Sequence, residues 1–282
     1  MQVIAYDSGN DWLSSDYRNQ QVEKLQESIN IPRGNILGVG VSAINMSQAL
    51  GAIEGWIAQR TPQYVCVTPA HAVMACYDDP GLRPIYNQSG LTTPDGMVIV
   101  WLLKLLGFSG VDRVYGPDLM LEVCERLITK GCKHYFYGGA PGVANRLAEA
   151  LLKKYPGLKI VGIESPPFRE LSDTENGEMI NRIRSAGPDI VWVGIGSPRQ
   201  EKWISQHIDD LGVPVLIGVG AAFDFLSGNK PQAPRWVQRS GMEWFYRLLS
   251  EPRRLWKRYL LNYPRFVVLA ATQLLGLKKY SL

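Results

Sequence analysis

The sequence predicts an α/β fold, a mainly parallel sheet with helices on both faces, followed by a basic amphipathic helical appendage. Three observations predict it. Short apolar runs alternate with helical stretches of about ten to fifteen residues. The strand candidates are continuous apolar runs rather than alternating ones, as expected of strands buried on both faces. The charge is divided: of a net +4, the segment from Arg235 onward carries ten Lys and Arg against Glu243 and Glu251, a net +8, so the rest is −4. With 282 residues and 46% hydrophobic content the chain can bury a sizeable core. We divide it into a variable N-terminal segment (1–33), a main α/β domain (34–232) and the appendage (233–282).

Within residues 1–33, Gln20–Ile29 fits a short helix. Ile36–Val41 reads as the first strand and Ser47–Gln59 as a helix with Leu50, Ile53, Trp56 and Ile57 on one face. Tyr64–Val67 is the next strand, closed by Thr68-Pro69 as the cap of a helix to Tyr77, and Asp79-Pro80 opens another helix the same way. Leu91–Thr93 is a brief strand ending in Pro94-Asp95-Gly96. Met97–Leu106 is apolar nearly all round and so reads as a deeply buried helix.

Val111–Tyr115 is extended and leads into a helix to Lys130. His134–Tyr137 is a strand closed by Gly138-Gly139, and Pro141 starts a helix to Tyr155. Leu158–Ile163 is a strand and Ser172–Ser185 a helix. The stretch from Pro188 to Trp203 has the sharpest pattern: a buried strand (Asp189–Val193), the turn Gly194-Ile195-Gly196, then a helix with Ser197 as cap, Pro198 in its first position and Gln200 completing a capping box. Strand, glycine turn and helix start offer free backbone N–H groups and a positive dipole end to an anion, with Arg199 and Gln200 as side-chain donors. Val213–Val219 is the last strand, followed by Gly220 to Asp224.

Ligands of such sheets bind beyond the carboxyl ends of the strands. Thr68, Asp95, Gly138-Gly139, Arg199-Gln200 and Asp224 each follow a strand and become candidates for one cleft. Beyond Pro252, Leu255, Tyr259, Tyr263, Phe266 or Val267, and Ala270 recur every three or four residues, with Arg254, Lys257, Arg258 and Arg265 largely on another face. That pattern suits a helix lying on an anionic membrane, or one packed on the protein's own core.

Composition and motifs exclude several classes. Cys66, Cys76, Cys124 and Cys132 form no CxxC, and with only three histidines no metal-ligand spacing exists. No membrane-spanning apolar run and no signal-peptide pattern are visible, which points to a cytoplasmic location, peripheral on the inner face of the plasma membrane. Gly38 to Ala43 fits GxGxxA, but the second strand ends in Thr68-Pro69 without the carboxylate that a dinucleotide ribose needs. The chain has no Asp-x-Asp for a metal-held diphosphate, so arginines and helix starts would have to meet leaving-group charge. An inverting transfer needs one carboxylate to take a proton, and Asp95 is the best placed, with helix N-cap as its plain alternative.

These residues resemble the WecG/TagA/CpsF glycosyltransferases, glycosyltransferase family twenty-six, over roughly Asn35 to Phe266. The resemblance rests on the order and spacing of VCVTPAHAVM at 65–74, TPDGM at 93–97, RVYGPDL at 113–119, YGG at 137–139, GIGSPRQEKW at 194–203, GVGAAFDFLSG at 218–228 and KPQAPRW at 230–236, followed by EWFYRLLSEPRRLWKRY. It implies a Rossmann-like (GT-E type) fold and an inverting enzyme with no divalent metal or other cofactor. It further implies a UDP-sugar donor and a polyprenyl-diphosphate-linked saccharide acceptor at the membrane. Carried over position by position, the catalytic base falls on Asp95, with Thr68 and Arg113 beside it in the chemistry. Gln200 matches the family's glutamine, and Arg247, Arg254 and Lys257 or Arg258 match the appendage arginines that close over the site. Gly138, Gly139, Ser197, Arg199 and Asp224 complete the expected donor-binding set. Many members carry Asn two residues beyond the threonine; Ala70 stands there here, followed by His71, read as a substitute sugar or acceptor contact or as a helix residue. This departure leaves the donor sugar open, with UDP-glucose, UDP-glucuronate and UDP-N-acetylmannosaminuronate standing beside an N-acetylmannosamine-type donor. Two other classes compete: a non-catalytic adaptor on anionic membranes with a ligand-sensing body, and a nucleic-acid binder using the basic tail, which the acidic body disfavours. Self-association is left open by the sequence.

Overall fold

The structure, a computed structural model, describes residues 31–282. The expected helix over Gln20–Ile29 lies outside the described residues. The chain enters through a hairpin, β1 (Arg33–Ile36) and β2 (Val39–Ser42), paired antiparallel. This corrects the single strand expected at Ile36–Val41. Leu37 and Gly38 both have positive φ, 54° and 90°, which makes a two-residue turn whose twist matches the strands. The GxGxxA glycines therefore belong to a hairpin, not to a phosphate loop.

Helix α1 (Met46–Gln59) is capped by Asn45, whose side chain accepts from Gln48 N while the Gln48 side chain accepts from Asn45 N. The order then runs β3 (Gln63–Thr68), α2 (Ala70–Asp78), a single 3₁₀ turn, α3 (Arg83–Asn87), β4 (Leu91–Pro94), α4 (Met97–Leu105) and α5 (Gly116–Leu127). It continues through β5 (Lys133–Gly138), α6 (Val143–Lys154), β6 (Lys159–Glu164), α7 (Asp173–Ala186), β7 (Ile190–Gly194), α8 (Arg199–Leu211), β8 (Val215–Gly218) and α9 (Ala222–Leu226). Strands β3 to β8 form one sheet of order β4-β3-β8-β7-β5-β6, with every neighbouring pair parallel. All six carboxyl ends consequently lie on one rim, so the α/β fold class is as expected.

The central strands are dry. Val65, Cys66, Val191, Trp192, Val193, Leu216 and Ile217 have no exposed surface. His134 and Trp192 show how a polar pair survives there: the Trp192 indole N–H donates to His134 Nδ1 at 3.1 Å. Burial pushes the His134 pKa down to about 4, so the ring stays neutral and able to accept.

One expectation about burial is corrected and one open choice is decided. Helix α4 buries only Ile99, Val100 and Leu103, while Trp101, Leu105 and Leu106 are exposed. The appendage comprises α10 (Arg235–Arg239), α11 (Glu243–Ser250), α12 (Pro252–Trp256), a π turn over Lys257–Leu261, and α13 (Asn262–Leu274). Its apolar stripe, suited to either a membrane or the protein's own core, packs inward: Leu255, Tyr259, Phe266 and Ala270 are buried, and Phe266 is part of the main core. The Gln273 side chain secures α13 to the hairpin, donating to Asn35 O at 2.7 Å and accepting from Leu37 N at 2.9 Å. The exposed side of the appendage mixes apolar and basic residues, with Trp256, Leu260, Leu261, Val267 and Val268 in solvent beside Arg253, Arg254, Lys257 and Arg265. No helix among the described residues is long and apolar enough to cross a membrane.

Candidate active site

The rim is shaped first by glycine. Gly138, at the end of β5, has φ 141°, and a β-carbon there would come within 2.5 Å of Gly194 C at the end of β7. Gly139 N donates to Gly194 O at 3.0 Å, so the two strand ends close on each other with no room for a side chain.

At the other side of the sheet, β4 delivers Asp95. Its backbone N–H donates to Thr68 O at 3.3 Å, and it stands at the open end of α4. It caps nothing: the N-cap of α4 is Gly96, and no side chain accepts from that helix start. The carboxylate is 15% exposed. Arg113 holds it, donating to Oδ1 from Nε at 3.2 Å and Nη2 at 3.0 Å. Among the described residues, Oδ2 accepts no hydrogen bond. Arg113 Nη2 also meets Glu243 Oε2 at 2.6 Å, and Tyr115 donates from its hydroxyl to Glu243 Oε1 at 3.0 Å. Glu243 thus takes up much of the Arg113 charge. Burial pushes the Asp95 pKa above its usual range; Arg113 opposes the rise and Glu243 adds to it. A carboxyl so placed is a better proton acceptor than a solvated one.

Asp95 and Arg113 line a cavity with His71, Met97, Glu243, Trp244, Arg247, Tyr259 and Tyr263. Its roof is the appendage, which supplies the last five of these. Arg247 stacks 5.5 Å above the Phe225 ring, and its Nε is buried without a partner. Neither Arg247 nor Arg258 has a carboxylate within 4 Å among the described residues, whereas Arg254 is held by Glu251 through two bonds of 2.6 Å. Burial, with Arg258, Arg247 and Arg254 nearby, holds the half-buried His71 well below its ordinary pKa and therefore neutral. Burial likewise lowers the Arg258 pKa, and Arg247 and Arg254 deepen the drop. Two guanidiniums without a carboxylate partner, Arg247 and Arg258, thus lie near a neutral imidazole, a setting that favours an anion over a cation.

The remaining sequence candidates fall elsewhere on the rim. Thr68 is fully buried, with Oγ1 donating to Cys66 O at 2.9 Å, so it supports β3 rather than lining the cavity. Ser197 does not cap: α8 begins at Arg199 behind Pro198 with no side-chain cap, and the capping box expected from Ser197 and Gln200 does not form. The Ser197 hydroxyl instead meets the Tyr86 hydroxyl at 3.4 Å, and Arg199 is exposed. Gln200 is buried against Gly218 and Gly220, donating from Nε2 to Glu201 Oε1 at 2.9 Å. Asp224 pairs with Lys230 at 3.2 Å; Lys230 also reaches Glu251 at 2.9 Å and so ties the rim to the appendage. Gly138, Gly139, Ser197, Arg199, Gln200 and Asp224 do not line the Asp95 cavity.

Glu243 is the contributor that sequence reasoning missed. It figured only as an offset to the positive tail, yet a rare acid within a strongly basic segment was itself the signal.

A partly buried carboxylate held by Arg113 thus shares one cavity with the unpaired Arg247 on the carboxyl rim of a parallel sheet. A family model for the glycosyl transferase WecG/TagA/CpsF family matches residues 34–280, and the chain belongs to that family. The resemblance read from the motifs is borne out. Relatives include three N-acetylglucosaminyldiphosphoundecaprenol N-acetyl-beta-D-mannosaminyltransferases. That of Bacillus spizizenii is 31% identical over 189 residues, 67% of this chain and 71% of the relative. That of Bacillus subtilis is 29% identical over 213 residues, covering 76% and 80%. That of Staphylococcus aureus is 26% identical over 236 residues, covering 83% and 89%.

Proposed function

We propose that this glycosyltransferase moves a sugar from a UDP-sugar to a polyprenyl-diphosphate-linked glycan, with inversion and without a metal ion. It would serve bacterial cell-surface or exopolysaccharide synthesis, acting peripherally on the cytoplasmic face of the plasma membrane. The observation that carries the reading is the Asp95 carboxylate: one oxygen is fixed by Arg113, the other is unbonded, and it shares a cavity with the unpaired Arg247. The relatives' names, which specify a diphosphoundecaprenol acceptor, support the lipid-linked substrate.

In this reading Asp95 Oδ2 takes the proton of the acceptor hydroxyl. The hydroxyl oxygen attacks the anomeric carbon from the face opposite the nucleotide. The bond from that carbon to the β-phosphate oxygen breaks, and UDP leaves with both electrons. Arg247 and Arg258 meet the charge that develops on the diphosphate, a role fixed cations fill well in a water-poor site. Arg113 keeps the carboxylate aimed. The appendage completes the site, because Glu243, Arg247, Tyr259 and Tyr263 all come from it.

The test is a UDP-release screen on the full chain, with a panel of UDP-sugars and lipid-diphosphate sugars, with and without EDTA. UDP release that requires both substrates and is unchanged by EDTA is expected. No release from any pair, or a loss with EDTA that added magnesium restores, would refute the proposal.

A further inference from the structure

The helix that follows Asp95 exposes apolar side chains of unusual size. On α4, Trp101 is 46% and Leu105 70% exposed, although the opposite face is sealed into the core by Ile99, Val100 and Leu103. The Trp101 ring lies over the Gly241 backbone, where a β-carbon would come within 2.6 Å of it. Trp101 is thereby placed beside the start of α11, from which Met242, Phe245 (43%) and Leu249 (66%) project to solvent at helical spacing. The two elements form one apolar surface joined at Trp101 and Gly241. The exposed charges nearest to it include cations, with Asp112 beside Arg239 and Met97 in the lining of the neighbouring cleft. Lys104 and Arg239 are exposed around it, α4 contains no acid, and the one acid of α11, Glu243, is buried against Arg113.

We infer that α4 is itself a membrane-docking element, and that Trp101 and Leu105 enter the interface of an anionic phospholipid bilayer together with α11. This rests on the lipid-linked acceptor proposed above and extends it, because membrane contact then involves the main α/β domain as well as the appendage. A tryptophan beside a protruding leucine, with cations nearby, suits the headgroup–acyl boundary. The consequence is positional. Asp95 immediately precedes α4, so docking this helix sets the proposed base at a fixed depth beneath the headgroups, where the sugar of a lipid-linked acceptor emerges.

The experiment uses the full chain and vesicles of phosphatidylglycerol and phosphatidylcholine. Trp101→Gln with Leu105→Gln is expected to weaken partitioning at least tenfold and to raise KM for the lipid-linked acceptor. The same variant should leave turnover of a short-chain, water-soluble acceptor unchanged, which reports that the fold and site are intact. As a second measurement, brominated acyl chains should quench the unaltered protein more than Trp101→Phe. If the unaltered protein binds vesicles and the double variant binds them equally, the inference is overturned while the transferase reading stands. If the substitutions instead abolish a dimer seen by sedimentation and leave vesicle binding intact, the face is a self-association surface and the inference is equally overturned. Failure of the transferase reading shows separately, as absence of UDP release.

Discussion

Asp95→Asn is expected to reduce sugar transfer by roughly 10²- to 10⁴-fold, the usual contribution of a positioned general base, while leaving UDP-sugar affinity within about twofold. The geometry separates the two effects. Asparagine keeps an Oδ1 that accepts from Arg113 Nε and Nη2, so the side chain stays where Arg113 puts it. It replaces Oδ2, the oxygen without a partner, by an amide nitrogen that has no lone pair for a proton. The cations proposed to hold the diphosphate, Arg247 and Arg258, are untouched. Calorimetric titration with a UDP-sugar, alongside turnover, makes the comparison. Transfer at the unaltered rate would remove Asp95 from the chemistry, and a parallel collapse of binding would assign it to donor recognition instead.

The second large effect concerns Glu201, which is fully buried in the first turn of α8. Its Oε1 accepts from Gln200 Nε2, but its Oε2 has no partner, and no cation pairs with it among the described residues. Burial pushes its pKa up to about 7, partly offset by the hydrogen bond from Gln200. A raised carboxyl pKa favours the protonated native state. Between the ordinary carboxyl pKa and about 7, the unfolded chain has lost this proton and the folded chain has kept it. Stability therefore falls as pH rises through that window and levels off above it. The loss amounts to about 3 kcal/mol at about 1.4 kcal/mol per pH unit. Glu201→Gln, which cannot ionise, should gain relative to the unaltered protein as pH goes from 5 to 8, by on the order of 5–10 °C in Tm. Thermal unfolding of both proteins at the two pH values measures it. A constant difference between them would mean that Glu201 is already ionised, or solvated, in the folded state.

Much of this could be read along the chain because the sheet is buried on both faces. Continuous apolar runs such as Asp189–Val193 left few alternatives to central parallel strands, and their carboxyl ends had to share a rim. Asp95 was found by the same logic, whereas Arg113 came only from the family resemblance. What failed depended on three dimensions. Ser197-Pro198-Arg199-Gln200 has the composition of a capping box, yet α8 begins at Arg199 and Gln200 turns into the sheet toward Gly218 and Gly220. Ile36–Val41 has a strand's composition, but Leu37 and Gly38 reverse it, and a positive φ at leucine is not written in local propensity. The open choice at the appendage stripe and the misplaced burial of α4 have one reason. Hydrophobic periodicity shows that a helix has an apolar face, not which surface covers it. Phe266 found the core, and Trp101, on the helix expected to be buried, found solvent.

The appendage also limits how the site can be dissected. Cutting the chain at Pro231 would remove Phe266 from the core and Glu243 from Arg113 together, so loss of activity after such a cut would not isolate membrane contact. Point substitutions on exposed positions avoid that ambiguity.

The central claim is a single displacement at the anomeric carbon, with Asp95 taking the proton and no covalent sugar–protein intermediate. The configuration of the product, read by NMR from the coupling of the anomeric proton, tests it most directly. Transfer from an α-linked UDP-sugar should give a β-linked product alone; an α-linked product would contradict the account.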